Sequence, residues 1–349
     1  MKKTIAWILI LVLTAGIFAG CAGTTVVINN CTCPGDHQNT PDDTTPVTEG
    51  ALKTGLAIVT SVAKSENAKQ ADYDVTLVAV LVDDSGVIAD CIIDSIGTKV
   101  EFDATGTITS DLTAQIATKN ELGDNYGMVA YGGAKYEWYQ QAQALADYAT
   151  GKTVAELKNG AIDETGKAPA GSDLASSATI YLGGYVSAIE AAVGNAYHAG
   201  AQTGDTLKLA AIPSIKSSVS ATAEKAGTAQ LDCDVTALTE KDGKITSCVI
   251  DALQAKVSFD TTGTITTDLT APVQTKNQLG ENYGMVAWGG AKYEWNEQAA
   301  SFCKYVTGKS AAEVAGIAVT EGKPSDADLS STVTIAIGGF QALIAKAMQ

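Results

Sequence analysis

The sequence predicts an α+β protein built from two tandem homologous domains, each a small antiparallel sheet with packed helices. The first observation is a duplicated block: residues 118–138 and 275–295 differ at three positions and keep a constant offset (275 − 118 = 157). The second is a pair of β-branched runs around a turn signal in each copy, and the third is a helical stripe after each block. A repeat this long indicates a domain, because solenoid periods are roughly 20–50 residues.

The N-terminus is typical of an export signal. Two lysines precede an apolar run over residues 5–18, shorter than the roughly 20 residues of a membrane span, and Cys21 follows two small residues. This order resembles a bacterial lipobox and predicts a signal peptide over residues 1–20, with Cys21 as the lipidated mature N-terminus. The alternative is an uncleaved anchor. Either alternative attaches the protein to the extracellular face of the bacterial cytoplasmic membrane.

Four segments are expected after the signal peptide. Residues 21–50 are rich in Thr, Asn, Asp and Pro and have no apolar periodicity, which is typical of a flexible spacer. The first repeat then covers residues 51–195 and the second covers residues 206–349. A polar connection over residues 196–205 joins them, and each repeat is long enough to form a domain.

The first half of each repeat is predicted to form antiparallel hairpins. In the first copy, strands are expected over residues 74–82 and 87–94, because two β-branched runs flank an Asp-Asp-Ser-Gly turn signal. The second copy repeats this over residues 233–238 and 245–251, on either side of an Asp-Gly pair. Further turns are expected over residues 103–106 and 260–263.

The second half of each repeat is predicted to contain helices. Residues 136–149 place apolar side chains on one helical stripe that opens with Trp138, and Gly151 follows as an end signal. The second copy opens the same stripe with Trp295. A last helix is expected after each of the Gly-Gly pairs at 183–184 and 338–339.

Composition excludes several classes of function. The formal net charge is −16, so there is no basic surface for nucleic acid, and all 23 basic residues are lysine, so no guanidinium can clamp a phosphate. The two histidines, His37 and His198, are not duplicated, which leaves no nucleophile–histidine system in both repeats. We therefore predict no catalytic residue and no metal site.

The cysteines do not form a duplicated framework. Cys91 and Cys248 are equivalent, whereas Cys233 and Cys303 have no counterpart in the first repeat. These four cysteines are expected to be small buried apolar residues. The Cys-Thr-Cys pair at 31 and 33 in the spacer is compatible with a redox or a metal site, and its role stays open.

One segment ahead of each last helix carries a resemblance. Residues 173–179 read DLASSAT and residues 328–334 read DLSSTVT. Both resemble the flavin-attachment pattern Asp-x-x-Ser-Gly-Ala-Thr of the FMN-binding domain family, which includes flavinylated subunits of sodium-pumping quinone reductases and tandem-domain flavin lipoproteins of Gram-positive bacteria. The resemblance implies FMN bound through a phosphoester, and by position the acceptors are Thr179 and Thr334.

The two segments depart from that pattern. Ser177 and Thr332 stand where the family has glycine, and a Cβ there is expected to hinder the approach of a phosphate to the backbone. The alternative interpretation is a β-strand edge leading into a helix, with hydroxyls that contact solvent or cap locally. The remaining motif positions that the resemblance assigns to cofactor binding are Asp173, Ser176, Asp328 and Ser331.

Aromatic and basic side chains of the duplicated block are further candidates. Tyr126 and Tyr283 are able to stack on an isoalloxazine ring, although aromatic residues at such spacings are more often core, as we expect for the two tryptophans. Lys119 and Lys276 are candidates for neutralising a phosphate, and the alternative is that they are solvated surface lysines.

The function expected from these features is a lipid-anchored extracellular electron carrier with FMN in each repeat, rather than a substrate-specific enzyme. Its partners would be a membrane quinone dehydrogenase and a flavin transferase. The alternative is a flavin-free surface binding or structural lipoprotein with two degenerate FMN-binding-like domains. A third, weaker alternative is that residues 13–20 of the signal act as a peptide pheromone.

Overall fold

The computed structural model describes residues 50–349. The predictions for the signal peptide, for Cys21 and for the cysteine pair in the spacer lie outside the described residues. Within residues 50–349, no helix has the length and apolar character needed to span a membrane. The predicted α+β class is confirmed, since each repeat has a three-stranded antiparallel sheet and several helices.

The sheet of the first repeat contains β1 (Lys53–Ser61), β2 (Gln70–Val82) and β3 (Ile88–Glu101), in the order β1-β2-β3. The central strand is β2, and alternate side chains along it point to opposite faces, both of which are buried. The predicted hairpin is confirmed, although both strands extend beyond the predicted bounds and β1 was not predicted.

The sheet of the second repeat is its counterpart. It contains β4 (Thr206–Ser214), β5 (Gly227–Lys241) and β6 (Lys244–Phe259), in the order β4-β5-β6. The β5–β6 turn passes through Asp242 at φ 52°, a left-handed conformation that Asn and Asp tolerate better than most residues. The Asp-Gly turn signal therefore indicated the hairpin correctly.

The two sheets pack face to face and share one core. Leu77 of β2 and Val235 of β5 belong to a single buried cluster that draws on both repeats. Equivalent residues Phe102 and Phe259 stack on each other with ring centroids 4.0 Å apart. Equivalent positions that contact each other indicate an approximate two-fold arrangement of the repeats.

Helices cover the outer face of the first sheet and form a second core there. Helices α2 and α5 pack on this face around Trp138, Leu145 and Ile189. A 3₁₀ turn over Gly123–Tyr126 continues α1. The helices of this repeat are α1 (Lys119–Leu122), α2 (Trp138–Ala149), α3 (Val154–Ala161), α4 (Asp173–Ser177) and α5 (Gly183–Gly194).

The second repeat places its helices in the same way, around Phe302 and Leu343. A 3₁₀ turn over Gly280–Tyr283 continues α6, and two short strands, β7 (Val319–Thr320) and β8 (Lys323–Pro324), form a small hairpin. The helices are α6 (Lys276–Leu279), α7 (Trp295–Val306), α8 (Ala311–Ala315), α9 (Ala327–Ser330) and α10 (Gly338–Ala347).

The connection between the repeats runs beside β1. The backbone N–H of Leu52 donates to the carbonyl of Ala201 at 2.9 Å, and that of Thr54 donates to Tyr197 at 3.0 Å. Residues 196–205 are therefore held against the first sheet by backbone hydrogen bonds.

The two Thr-Gly-Thr turns dock on the opposite repeat. The carbonyl of Gly106 accepts the N–H of Ala221 at 2.8 Å, and the carbonyl of Gly263 accepts the N–H of Ala68 at 2.7 Å. The turns predicted over residues 103–106 and 260–263 are confirmed, and the reciprocal bonds join the repeats outside the sheet–sheet core.

Candidate functional site

A pocket lies on the outer, helix-covered face of each sheet. The repeat-1 pocket has a volume of about 410 Å³ and the repeat-2 pocket about 460 Å³, both within the range of roughly 300–1,000 Å³ that small-molecule sites occupy. Strands, the duplicated block and the start of the last helix all contribute to the walls. The equivalent pairs in the walls are Lys119 and Lys276, Tyr126 and Tyr283, Met128 and Met285, Trp138 and Trp295, and Ile180 and Ile335.

A lysine lies between two aromatic rings in each pocket. The ammonium of Lys119 is 5.1 Å from the ring centroid of Tyr126 and 5.0 Å from that of Trp138. Lys119 is 9% exposed, so the interpretation as solvated surface is wrong for it. Both rings lie within the roughly 6 Å over which a ring face attracts a cation. We call this arrangement the aromatic–lysine clamp.

The clamp of the second repeat has the same geometry. The ammonium of Lys276 is 5.1 Å from Tyr283 and 4.8 Å from Trp295. The tryptophans are buried, as predicted, and in addition their rings form part of the pocket walls. The predicted candidates Tyr126 and Tyr283 also lie in the pocket walls.

The clamp lysine is positioned by the N-terminus of a short helix. Thr118 caps α1 by accepting the N–H of Glu121, whose carboxylate accepts the N–H of Thr118 in return. Thr275 and Gln278 form the same capping box ahead of Lys276. Because the capping residue immediately precedes the lysine, the capping box fixes the backbone from which the lysine side chain extends.

A buried carboxylate holds each of these short helices against its sheet. Asp94 accepts the N–H of Asn120 at 3.0 Å, and Asp251 accepts that of Asn277 at the same distance. Both aspartates lie within long strands, so their expected position at strand ends is wrong. Burial raises the pKa of Asp94 and raises that of Asp251 to about 6, although hydrogen bonds oppose both shifts.

The loop between the clamp residues is fixed by a second buried acid. The carboxylate of Glu137 accepts the N–H groups of Met128 at 2.8 Å and Val129 at 2.9 Å, and it also caps α2. Glu294 does the same in the second repeat. The duplicated block therefore encodes a folded unit that presents lysine, tyrosine, methionine and tryptophan to one pocket.

The motif segment contains a short helix, so the alternative of a β-strand edge is wrong. Ser172 caps α4, and Leu174 is buried beneath it. The hydroxyl of Ser176 donates to the carbonyl of Asp173 at 2.7 Å, and that of Ser331 donates to Asp328 at 2.8 Å. All four of these motif side chains are exposed, and they do not line the pockets.

The candidate acceptor threonines are not part of the pocket walls, but each one directly precedes a residue that is. The hydroxyl of Thr179 donates to Oε1 of Gln141 at 3.1 Å, and the same oxygen accepts the N–H of Thr179 at 2.8 Å and that of Ile180 at 3.1 Å. Thr334 and Ile335 make the matching bonds to Gln298. Ile180 and Ile335 line the pockets, so each threonine directly precedes a wall residue.

The residues in the place of the family's glycine do not obstruct the pockets. Ser177 and Thr332 are absent from the pocket walls, and both hydroxyls lie 3.3 Å from a carbonyl oxygen of their own helix. Neither backbone is in the left-handed region, since the positive-φ non-glycine residues among those described are Ala68, Asp242 and Glu321. These two side chains are therefore not part of the pocket walls.

A second lysine approaches each motif. The ammonium of Lys135 is 3.5 Å from the carbonyl oxygen of Ser176, and that of Lys292 is 3.4 Å from Ser331. Sequence reasoning missed these two lysines, although the Gly-Gly-Ala-Lys stretch that carries them is duplicated. It also missed Thr76 and the other sheet residues in the pocket walls, because their contact with the duplicated block is long-range.

The described cysteines are buried thiols, as predicted: Cys91, Cys233, Cys248 and Cys303 are all free. Burial raises the pKa of the Cys91 and Cys233 thiols.

Comparisons with protein-family models, curated proteins and solved structures find no match for the chain. The geometry of the pockets thus carries the functional argument.

Proposed function

We propose that each repeat holds one FMN in its pocket and that the protein is a lipid-anchored extracellular electron-transfer protein. The observation that supports this most is the adjacency of two features in both repeats. One is a pocket lined by an aromatic–lysine clamp, and the other is a threonine, Thr179 or Thr334, that directly precedes a residue of the pocket wall.

The chemistry of the pocket walls fits a flavin. Tyr126 and Trp138 offer aromatic faces for a planar ring, and Met128 adds a polarisable thioether. The phosphate would have the ammonium of Lys135 near the attachment segment. No arginine is needed, because a lysine binds phosphate as a point charge.

The acceptor hydroxyl is also chemically suitable. Thr179 uses its proton to bond Gln141, so the lone pairs of its oxygen stay free for a bond to phosphorus. The side chain of Thr179 is exposed and that of Thr334 is half-buried, so both are within reach of a modifying enzyme. Such an enzyme would transfer the flavin phosphate from a flavin dinucleotide. The threonine oxygen would form the new bond to phosphorus, the phosphoanhydride bond would break with release of a nucleoside monophosphate, and a base of that enzyme would take the hydroxyl proton.

The protein's own residues would then bind and orient the cofactor. The clamp lysines place a positive charge in the wall, and the tryptophans, which are nearly buried, exclude water from one side of the ring. FMN would supply the electron-accepting chemistry that these side chains lack. A membrane quinone dehydrogenase is the proposed electron donor.

A flavin-free binding lipoprotein is the second candidate function. Its support is that Oε1 of Gln141 already engages the hydroxyl and the two nearest N–H groups of the motif, which are groups a phosphate would otherwise use. In this case the same pockets bind a planar ligand without covalent attachment, and the motif hydroxyls have a structural role.

Flavin content tests the first proposal. Protein purified from its native host should show a flavin absorption spectrum and a flavin phosphate mass on peptides that contain Thr179 and Thr334. Thr179→Ala combined with Thr334→Ala should remove both signals. The matched control is Thr105→Ala with Thr262→Ala, which changes the docked Thr-Gly-Thr turns and should leave the flavin in place. Colourless protein without the added mass would contradict the proposal.

A further inference from the structure

We propose that the two pockets differ in their preference for negative charge on a planar aromatic ligand: the repeat-1 pocket binds such an anion more tightly than the repeat-2 pocket does. The inference deepens the proposed function, since it concerns the same two pockets. It rests on one pair of equivalent wall residues, Thr76 and Asp234.

The pairing of the strands establishes that these residues are equivalent. Thr76 lies opposite Ser95 in the β2–β3 pair, and Asp234 lies opposite Ala252 in the β5–β6 pair. Ser95 and Ala252 are related by the offset of the repeat (252 − 95 = 157). A neutral hydroxyl in the first pocket is therefore replaced by a carboxyl group in the second.

The carboxyl group of Asp234 acts on the same space as the clamp lysine. Asp234 and Lys276 both line the repeat-2 pocket, but among residues 50–349 they form no ion pair within 4.0 Å. Burial raises the pKa of Asp234, and the positive charge of Lys276 opposes that rise. The carboxyl group of Asp234 therefore belongs to the pocket wall and has no salt bridge to the clamp lysine.

The acidic residue in the wall of the repeat-1 pocket is paired with a lysine. This residue is Asp74, and its carboxylate is 2.5 Å from the ammonium of Lys64. The ammonium of Lys119 has two aromatic rings as neighbours and, within the described chain, no hydrogen bond or ion pair to an acid. An incoming anion therefore meets an ammonium whose charge is not already neutralised.

Asp74, which lines the repeat-1 pocket alone, is paired with Lys64, and the remaining differences between the pockets do not involve a charged group. Tyr185 of the first repeat is replaced by Phe340, and Tyr181 is replaced by Ala336. The hydroxyl of Tyr185 accepts the indole N–H of Trp138 at 3.0 Å, whereas Phe340 packs edge-on to Trp295 at 5.8 Å. Both arrangements keep the tryptophan in the wall, so Thr76 and Asp234 are the residues that set the charge difference.

The test is a titration of the full chain carrying Thr179→Ala and Thr334→Ala, which leaves no acceptor for covalent flavin. The probes are naphthalene-2-sulfonate and its neutral sulfonamide, measured by isothermal calorimetry at pH 8. Lys119→Met and Lys276→Met, added singly, assign each binding event to a pocket. A unit charge within several ångströms of a bound ion in a partly buried site changes the affinity for that ion by about tenfold or more.

The expected result is that the sulfonate binds the repeat-1 pocket at least about tenfold more tightly than the repeat-2 pocket, while the sulfonamide shows a smaller difference. Asp234→Thr should strengthen sulfonate binding in repeat 2, and Thr76→Asp should weaken it in repeat 1. Asp234→Asn, which keeps the shape of the side chain, should match Asp234→Thr. Circular dichroism checks that each variant is folded.

Three results would overturn the inference: equal sulfonate affinities in both pockets, exchange variants that leave these affinities unchanged, or the absence of any binding. These outcomes are separable from the flavin proposal. If the native protein carries no flavin but the two pockets differ in sulfonate affinity, only the flavin proposal is refuted. If the native protein carries flavin but the two pockets have equal sulfonate affinity, only the inference about charge is refuted.

Discussion

Asp251 shows how one buried carboxyl group links the candidate site to stability. Its side chain accepts the N–H groups of Ala252 at 2.7 Å and Asn277 at 3.0 Å, which ties the clamp helix to β6. Burial raises the pKa of Asp251 to about 6, although its hydrogen bonds and the charge of Lys276 oppose the shift. Between about pH 4 and pH 6, the carboxyl group of Asp251 therefore keeps a proton in the native state that it has lost in the unfolded chain.

The pH dependence of unfolding should report this group. The stabilisation from the retained proton is fully present below the unfolded pKa near 4 and is lost as the pH rises through about 6. The Asp251→Asn variant lacks this loss. Relative to the original protein, it should therefore gain up to about 3 kcal/mol between pH 4 and pH 7 in the free energy of unfolding, measured in urea.

An exposed aspartate provides a control of opposite sign. Hydrogen bonds from Thr105 and Thr107 lower the pKa of Asp103, so its stabilisation is present above its unfolded pKa and is lost as the pH falls. Asp103→Asn should therefore lose stability relative to the original protein as the pH rises from acid to neutral. If Asp251→Asn and the original protein follow parallel curves, the assigned pKa is wrong.

The buried glutamine of α2 connects this helix to the segment between α4 and α5. Gln141 is fully buried, and one oxygen of its side chain accepts three hydrogen bonds from the segment between α4 and α5. Its amide group also donates to the carbonyl of Tyr136 at 3.0 Å. The side chain thus fixes the attachment segment beside the pocket.

Removal of this contact should destabilise the first repeat. Gln141→Leu leaves the N–H groups of Thr179 and Ile180 without an acceptor, and the expected cost is about 2–4 kcal/mol in the free energy of unfolding. Gln143→Leu is the matched control on the same helix, because Gln143 is exposed and should change stability by less than about 0.5 kcal/mol. Equal effects of the two substitutions would contradict the proposed role of Gln141.

Element by element, the strongest local patterns predicted the fold. The long helices and the hairpins followed from apolar periodicity and turn chemistry, but β1 and β4 did not. Gly55 and Pro213 weaken the strand pattern there. The structure explains Gly55, because a Cβ at that position would lie 2.1 Å from the carbonyl oxygen of Ala192. Helix α4 has five residues, which is too few for an apolar periodicity that would distinguish it from a polar strand edge in the sequence.

The candidate site was only partly predictable for a related reason. The threonines and tyrosines were found because they lie in duplicated or motif-bearing segments. For Lys119 the sequence leaves open a phosphate ligand or a solvated surface lysine. Its burial depends on a tryptophan 19 residues later in the chain and on strand residues that precede it. Asp234 was not considered, because a strand register is needed to place it in a pocket.

The approximate two-fold contact of the repeats is the main feature of the whole molecule. A signal for it was present in β2, where residues 77–82 are apolar on both faces, as is typical of a strand with two buried sides. One face meets the helices and the other meets the second sheet. The Thr-Gly-Thr turns then join the repeats at the border of this interface.

Alanine substitution in one turn should separate docking from local strain. Gly106 has φ +68°, and a Cβ there would lie 2.6 Å from the carbonyl oxygen of Asp260 in the other repeat. Gly86 has φ +84° and no neighbour within 4 Å of that position. Both substitutions cost about 1–2 kcal/mol in backbone strain, and Gly106→Ala should cost about 1–3 kcal/mol more from the clash.

Urea unfolding of the two variants measures this difference. Gly106→Ala should have the lower midpoint, whereas equal midpoints would show that the turn does not dock as described. The slope of the transition adds a second readout, because two halves that unfold together expose more surface per step than halves that unfold separately.

The stack of Phe102 on Phe259 has an evolutionary consequence. In an ordinary homodimer a single codon specifies both partners, so every change at one binding site is copied into the other. Here each half has its own codons, while the contact between them remains that of a symmetric pair. The halves are therefore free to acquire separate tasks without losing each other as neighbours.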